Sequence, residues 1–149
     1  MTEKMLKSDA EWRAQLTPLQ YNVTRRRGNE RAFTGAYLDN REAGVYRCIC
    51  CGAELFASEA KLESGTGWPC FRAPIDPERV RTQEDYSWFR QRTEAVCAAC
   101  ESHLGHVFDE EPQGTGRRYS INSVALEFEK GSARARKTPR ANPMGGDIS

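Results

Sequence analysis

The sequence predicts a mainly β protein with short N-terminal helices and a four-cysteine metal site. Three observations carry that expectation. Helix-start signals are confined to the first part of the chain, apolar and β-branched residues alternate in part through its middle and end, and two Cys-x-x-Cys pairs lie far apart. The 149 residues, 38% hydrophobic and 29% charged, have the composition of an ordinary globular protein and leave no room for a second large domain. Residues 1–130 are expected to form one domain.

The elements follow in order. Ser8 and Glu11 have capping-box spacing, and Thr17 stands before Pro18 at a first helical position, so residues from about 8 to 24 predict two short helices. From Arg25 to Asn40 the chain is polar and broken by glycine. Gly44–Cys48 and Ala53–Phe56 read as strands around a tight Cys-Gly turn. Residues 64–69, Ser-Gly-Thr-Gly-Trp-Pro, are too rich in glycine and proline for regular structure, yet they carry a tryptophan, which points to a binding-site loop. Trp88–Val96 and Tyr119–Glu129 read as strand, with the clearest alternation from Ser123 to Glu129. Residues 131–149 form a basic tail, rich toward its end in Pro, Gly and Asn, that has little to bury and is expected to be disordered.

Charge and hydropathy exclude several function classes. With 22 Lys plus Arg against 21 Asp plus Glu, no global field draws the chain to nucleic acid or to an anionic membrane. The mean hydropathy is −0.74, and the opening MTEKMLKSDAEW is charged where an export signal needs an apolar core. A cytoplasmic chain is expected, with no nucleic-acid or membrane partner. In that compartment thiols stay reduced, so its six cysteines point to metal binding or thiol chemistry and not to a disulfide framework.

Cys48, Cys51, Cys97 and Cys100 form two knuckles whose four thiolates suit a tetrahedral structural zinc. The 45 residues between them (52–96) exceed the usual ribbon spacing of about 15–20, so the metal would staple hairpins distant in sequence. A set that recruits His103 and His106 in place of two cysteines competes, but four thiolates already saturate the ion and leave the histidines for other work. Cys50 is a spare by spacing. Cys70, after the Trp68-Pro69 loop, is either a small buried residue or a redox partner. Downstream, the only two histidines occupy what reads as a Gly-containing turn, and carboxylates, arginines and Asn122 follow closely. With the Trp68 loop they suit a small oxygen-bearing substrate with an apolar end.

The order of these pieces is itself informative. The Tyr46–Gly52 knuckle, Ser64–Phe71, the 97–100 knuckle, His103–Phe108 and Gly116–Leu126 (Gly-Arg-Arg-Tyr-Ser-Ile-Asn-Ser-Val-Ala-Leu) together resemble the B-type peptide methionine sulfoxide reductases. Leu16–Thr24 and Phe33–Asn40 are similar to that family's N-terminal segment. The resemblance spans about residues 8–129. It implies two small antiparallel sheets, a zinc away from the active site, reduction of the R epimer of methionine sulfoxide in peptides and proteins, and thioredoxin as electron donor. A cysteine thiolate would attack the sulfoxide and end as a sulfenic acid that another thiol restores. It also implies that Trp68 holds the ε-methyl group, that His103 and His106 bind or protonate the oxygen, that Arg118 favours the thiolate and that Asn122 orients the reactants. Phe108 and Glu110 would complete the substrate site.

The chain departs from the family's pattern at three places. Ser120 occupies the nucleophile's position, and its oxygen cannot pass through a sulfenic acid, so the expectation is a chain that binds substrate without turning it over. A Cys→Ser replacement that traps the enzyme explains the retained Trp68, His103, His106, Arg118 and Asn122 better than a native binder does. Thr66 stands where many members carry a resolving cysteine, leaving Cys70 and Cys50 as candidates to resolve. Glu110 stands where an aspartate is common. The rival readings are a zinc-ribbon nucleic-acid module, suggested by Arg25–Arg27 and the basic tail, and a small zinc-bearing chaperone of GTPases.

Overall fold

A computed structural model of the chain describes residues 7–62, 65–85, 92–109 and 117–131. The helices are α1 (Asp9–Gln15) and α2 (Pro18–Arg26). Each begins with a reciprocal capping box: Ser8 with Glu11, and Thr17 with Gln20, the latter with Pro18 at the position whose missing N–H is not needed. Trp12, Leu16, Tyr21 and Val23 are buried, and Arg25 stacks over Trp12 at 4.4 Å.

Nine strands form two antiparallel sheets among the described residues. The small sheet has the order β2 (Glu54–Ala57), β1 (Gly44–Cys48), β9 (Leu126–Lys130). The larger one runs β3 (Lys61–Leu62), β4 (Cys70–Phe71), β8 (Arg117–Ile121), β7 (His103–Asp109), β6 (Arg92–Cys97), β5 (Val80–Asp85). Alternation decides which side chains meet between them. Phe71 and Tyr119 point inward, where Phe71 stacks on Phe56 at 4.4 Å and Tyr119 lies 5.9 Å from the same ring. Tyr46, fully buried, bridges Phe71 and Phe128, and Asn40 donates to its hydroxyl. Their alternate neighbours Cys70, Arg118 and Ser120 therefore face the other side of the large sheet.

The structure corrects two local expectations. Ser123–Glu129 is not one alternating strand, because Ser123–Ala125 coil into a 3-10 turn before β9 starts. Ser123 is held there by the amide of Tyr37, and the amide of Val124 by the carboxylate of Glu30, so contacts with the 30–37 segment override the local alternation. His103–His106 do not form a turn but open β7. Gly105 is needed for close approach between strands: a Cβ there would overlap the carbonyl oxygen of Ser120 and lie 3.0 Å from the Cα of Ile121. Trp88 and residues 132–149, including nearly all of the expected basic tail, lie outside the described residues. No described helix is long and apolar enough to cross a membrane.

Candidate active site and metal centre

Both knuckles are built alike. The amide of Gly52 donates to the carbonyl of Cys48, and the amide of Glu101 to that of Cys97, with φ of +82° and +66° at the two turn ends. Cys48, Cys51, Cys97 and Cys100 thereby bring four sulfurs within 4.8 Å of one another. The first pair belongs to the β1–β2 turn and the second to the β6–β7 turn, so one ion would tie the small sheet to the large one. The sulfurs of Cys48 and Cys100 stand 3.6 Å apart, and those of Cys51 and Cys97 3.7 Å apart. Hydrogen bonding from Cys48 and its other sulfur neighbours holds Cys100 far below the ordinary thiol range, while contact with Cys100 pushes Cys97 far above it and Cys48 up to about 12. A divalent cation resolves the conflict by neutralising thiolates, and this donor set suits a soft or borderline metal. Arg25 donates to the carbonyl of Cys100 at 3.0 Å, and Ser102 lies 3.4 Å from the sulfur of Cys48. Cys50 is buried against this cluster and away from the cleft described next.

Three residues after Cys100, β7 begins with a bulge. Ala95 pairs with Gly105 and Val96 with His103, which leaves Leu104 as the extra residue. In a regular strand, residues 103 and 106 would point to opposite faces. The extra residue corrects the phase, and the two imidazoles pack edge to face at 5.4 Å. His106 lines the cleft and His103 stands behind it, 2% exposed. His103 Nδ1 donates to the Glu94 carboxylate at 2.6 Å, and the other carboxylate oxygen of Glu94 accepts from Arg27 at 2.7 Å and Gln83 at 2.9 Å. Burial alone would push the Glu94 carboxyl up. The hydrogen bonds from His103 and Gln83 and the charges of His103 and Arg27 outweigh it and hold the group below its ordinary 4.5.

The cleft encloses about 230 Å³. Trp68, Thr66 and Asn29 line it together with His106, Phe108, Arg118, Ser120 and Asn122, and Arg92 stands at it as well. Ser120 pairs across the sheet with His106 on one side and Cys70 on the other. Phe108 pairs with Arg118, whose guanidinium lies 4.7 Å from the ring centre. The loop carrying Trp68 is tied down by its indole N–H, which donates to the Glu30 carbonyl at 3.0 Å. Asn122 is equally fixed: its Oδ1 accepts from the Glu30 amide at 2.9 Å, and its Nδ2 donates to the Leu104 carbonyl at 3.1 Å. Glu30 thus holds two site residues through its backbone and anchors the Val124 amide through its side chain. Burial pushes the Glu30 carboxyl up against the lowering effect of the Ser123 and Val124 amides.

The structure therefore gathers Trp68, His106, Phe108, Arg118, Ser120 and Asn122 in one place, with His103 behind them; Glu110 lies outside the described residues. Asn29, Glu30 and Glu94 have no counterpart in the sequence reading, where Arg27 entered only as part of a basic triplet. A signal for Glu94 does exist, since it is a lone acid beside the apolar run Ala95-Val96-Cys97. Nothing local marks Asn29 or Glu30, whose partners lie 38 to 94 residues away. Two arginines of the 25–27 triplet are engaged inside the protein, Arg25 with the Cys100 carbonyl and Arg27 with Glu94.

Comparison with known proteins places the chain among relatives. The SelR domain matches residues 16–130. A peptide methionine sulfoxide reductase MsrB of Hahella chejuensis is 53% identical over 135 residues, covering 91% of this chain and 97% of its own. The proteins of the same name from Synechococcus sp. and Methanosarcina mazei are 55% and 54% identical, covering 82% and 85% of this chain and 90% and 91% of their own. The crystal structure of the Mis18 'Yippee-like' domain superposes with a TM-score of 0.50 at 17% identity over 61% of this chain and 99% of its own, a likeness of fold alone.

Proposed function

The chain belongs to the SelR-domain family, which includes the MsrB peptide methionine sulfoxide reductases, and from that premise we propose that its cleft reduces methionine-R-sulfoxide in peptides and proteins to methionine. The observation that carries the reading is the convergence of an indole, an imidazole pair, a guanidinium and a fixed amide on one cleft of about 230 Å³. Each part has a physical task. The Trp68 face offers an apolar surface for the ε-methyl group, beside polar groups that can hold the sulfoxide oxygen. His106 meets that oxygen and delivers a proton as the S–O bond breaks; His103, locked by Glu94, orients and supports it. Phe108 and Arg118 flank the peptide, and Asn122 keeps the floor rigid. The preference for the R epimer follows the family resemblance.

The reaction needs two electrons from a thiol, which becomes a sulfenic acid and is restored by a second thiol. A cysteine at residue 120 would sit between His106 and Arg118 as the family's nucleophile does. Ser120 cannot supply those electrons. Thioredoxin, or another protein dithiol of a reducing cytoplasm, fits the recycling step. We assign the metal held by Cys48, Cys51, Cys97 and Cys100 as zinc, a structural ion with four thiolate ligands and no open position for substrate.

The test is turnover of separated R and S epimers of a methionine-sulfoxide peptide by Ser120→Cys with dithiothreitol. Reduction of the R epimer alone is expected. A variant dead on both epimers with its metal intact would overturn the reading.

A further inference from the structure

Six cysteines are present, and five are accounted for by the metal cluster: four as ligands, with Cys50 packed against them. The sixth is Cys70, which the register places directly across from Ser120. The Ile121 amide donates to the Pro69 carbonyl, so 69 and 121 form a hydrogen-bonded pair and 70 and 120 the adjacent non-hydrogen-bonded one. Pairs of that kind bring their side chains closest, with Cβ atoms about 4.5–5.5 Å apart on the same face. The Cys70 sulfur lies 3.6 Å from the Thr66 hydroxyl and 4.0 Å from an Arg118 guanidinium nitrogen. Thr66 and Arg118 both line the cleft, so the buried sulfur lies directly behind its wall. Cys70 is fully buried and its thiol donates to the Trp68 carbonyl at 3.4 Å, so attack by this sulfur requires the side chain of Thr66, between Gly65 and Gly67 at φ of +74° and +100°, to turn away from it.

We propose that Cys70 is the catalytic residue whose thiol reduces the sulfoxide in this chain, one strand across from the serine at the family's usual position; the proposal rests on the reductase reading above. The Cys70 sulfur attacks the sulfoxide sulfur to form a transient S–S bond; the oxygen, taking up the former thiol proton, then passes to the Cys70 sulfur as the substrate's S–O bond and the transient S–S bond both break, leaving Cys70 as a sulfenic acid. The substrate sulfur gains two electrons and becomes the thioether, and Cys70 loses two. An external dithiol then restores it. Its first thiol condenses with the sulfenic acid, releasing water and forming a mixed disulfide, and its second displaces Cys70 as the thiol. Arg118, 4.0 Å from the Cys70 sulfur and lining the same cleft as Ser120, supplies a cation beside this thiol.

The unmodified, metal-loaded chain is incubated with one equivalent of a methionine-R-sulfoxide peptide without reductant, a sulfenic-acid-selective diketone is added, and the labelled cysteine is mapped by mass spectrometry. Turnover with dithiothreitol is measured for this chain, for Cys70→Ser and for Ser120→Cys, with peptide binding and metal content alongside. The label is expected on Cys70, and Cys70→Ser is expected to lose turnover on the order of 10³-fold or more while still binding peptide and metal. A label elsewhere, a fully active Cys70→Ser, or turnover by Ser120→Cys alone overturns the Cys70 proposal and leaves the reductase reading standing. Failure of all three forms to bind or reduce the peptide overturns both. The mapping on the unmodified chain remains decisive if Cys70→Ser does not fold.

Discussion

Glu94 has the most demanding surroundings of any charged side chain near the cleft. It is 1% exposed, and its two oxygens accept from His103, Arg27 and Gln83. Removing the charge while keeping the shape, in Glu94→Gln, strands a buried imidazole and an arginine; the expected loss is about 3 kcal/mol of stability, read by urea titration. The pH dependence has a definite sign. The folded carboxyl titrates below its ordinary 4.5, so its stabilising contribution is present above that pH and is lost as pH falls through the lower folded value. Stability of the parent should therefore fall more steeply on the acid side than that of Glu94→Gln, and parallel profiles would contradict the assignment. For catalysis, the same variant should lower kcat more than it raises KM, because the proposed role of His103 is to support His106 from behind the cleft. Residue types singled out Trp68, His103, His106, Arg118 and Asn122 in the sequence, and the resemblance to a known family supplied their expected roles. Glu30 and Asn29 were not legible, because their roles consist of contacts with residues 68 and 122 that only folding creates.

At the scale of elements, β7 was the least legible. Gly105 reads locally as a turn residue, yet its function is to let β7 and β8 approach, and the preceding bulge turns both imidazoles to one face. Gly105→Ala must push β8 away or shift the register; a cost of about 1–3 kcal/mol is expected, together with a loss of activity larger than stability alone explains. Unchanged activity at full stability would remove the bulge from the account. The helices were legible because capping boxes are local. Thr17→Ala loses the acceptor for the Gln20 amide and should cost about 1 kcal/mol by thermal melting without altering peptide affinity. The strand expected over 123–129 failed for the opposite reason, since Glu30 and Tyr37, distant in sequence, impose the 3-10 turn.

At the scale of the whole molecule, the metal cluster joins two sheets whose strands alternate little in sequence order, as the β2-β1-β9 arrangement shows. The spacing of the knuckles made this staple legible, whereas the pairing of β1 with β9 could not be read from either strand. Stripping the proposed metal should unfold the sheets together, because the small sheet has three short strands and an ion on the four cysteines would fix the turn that leads into β7. A chelator titration followed by circular dichroism checks this; a chain that keeps its near-ultraviolet spectrum without metal would contradict it. The proposed function requires that the cleft be a methionine-R-sulfoxide site with the ε-methyl group on Trp68. Carbon-13 labelling of that methyl in each epimer of a sulfoxide peptide, with spectra recorded as the unmodified chain is added without reductant, tests it most directly. The R epimer should bind with its methyl resonance moved upfield by the indole ring current, an effect absent in Trp68→Leu, while the S epimer should not. Equal shifts for both epimers, or no shift for either with the metal in place, would contradict the claim.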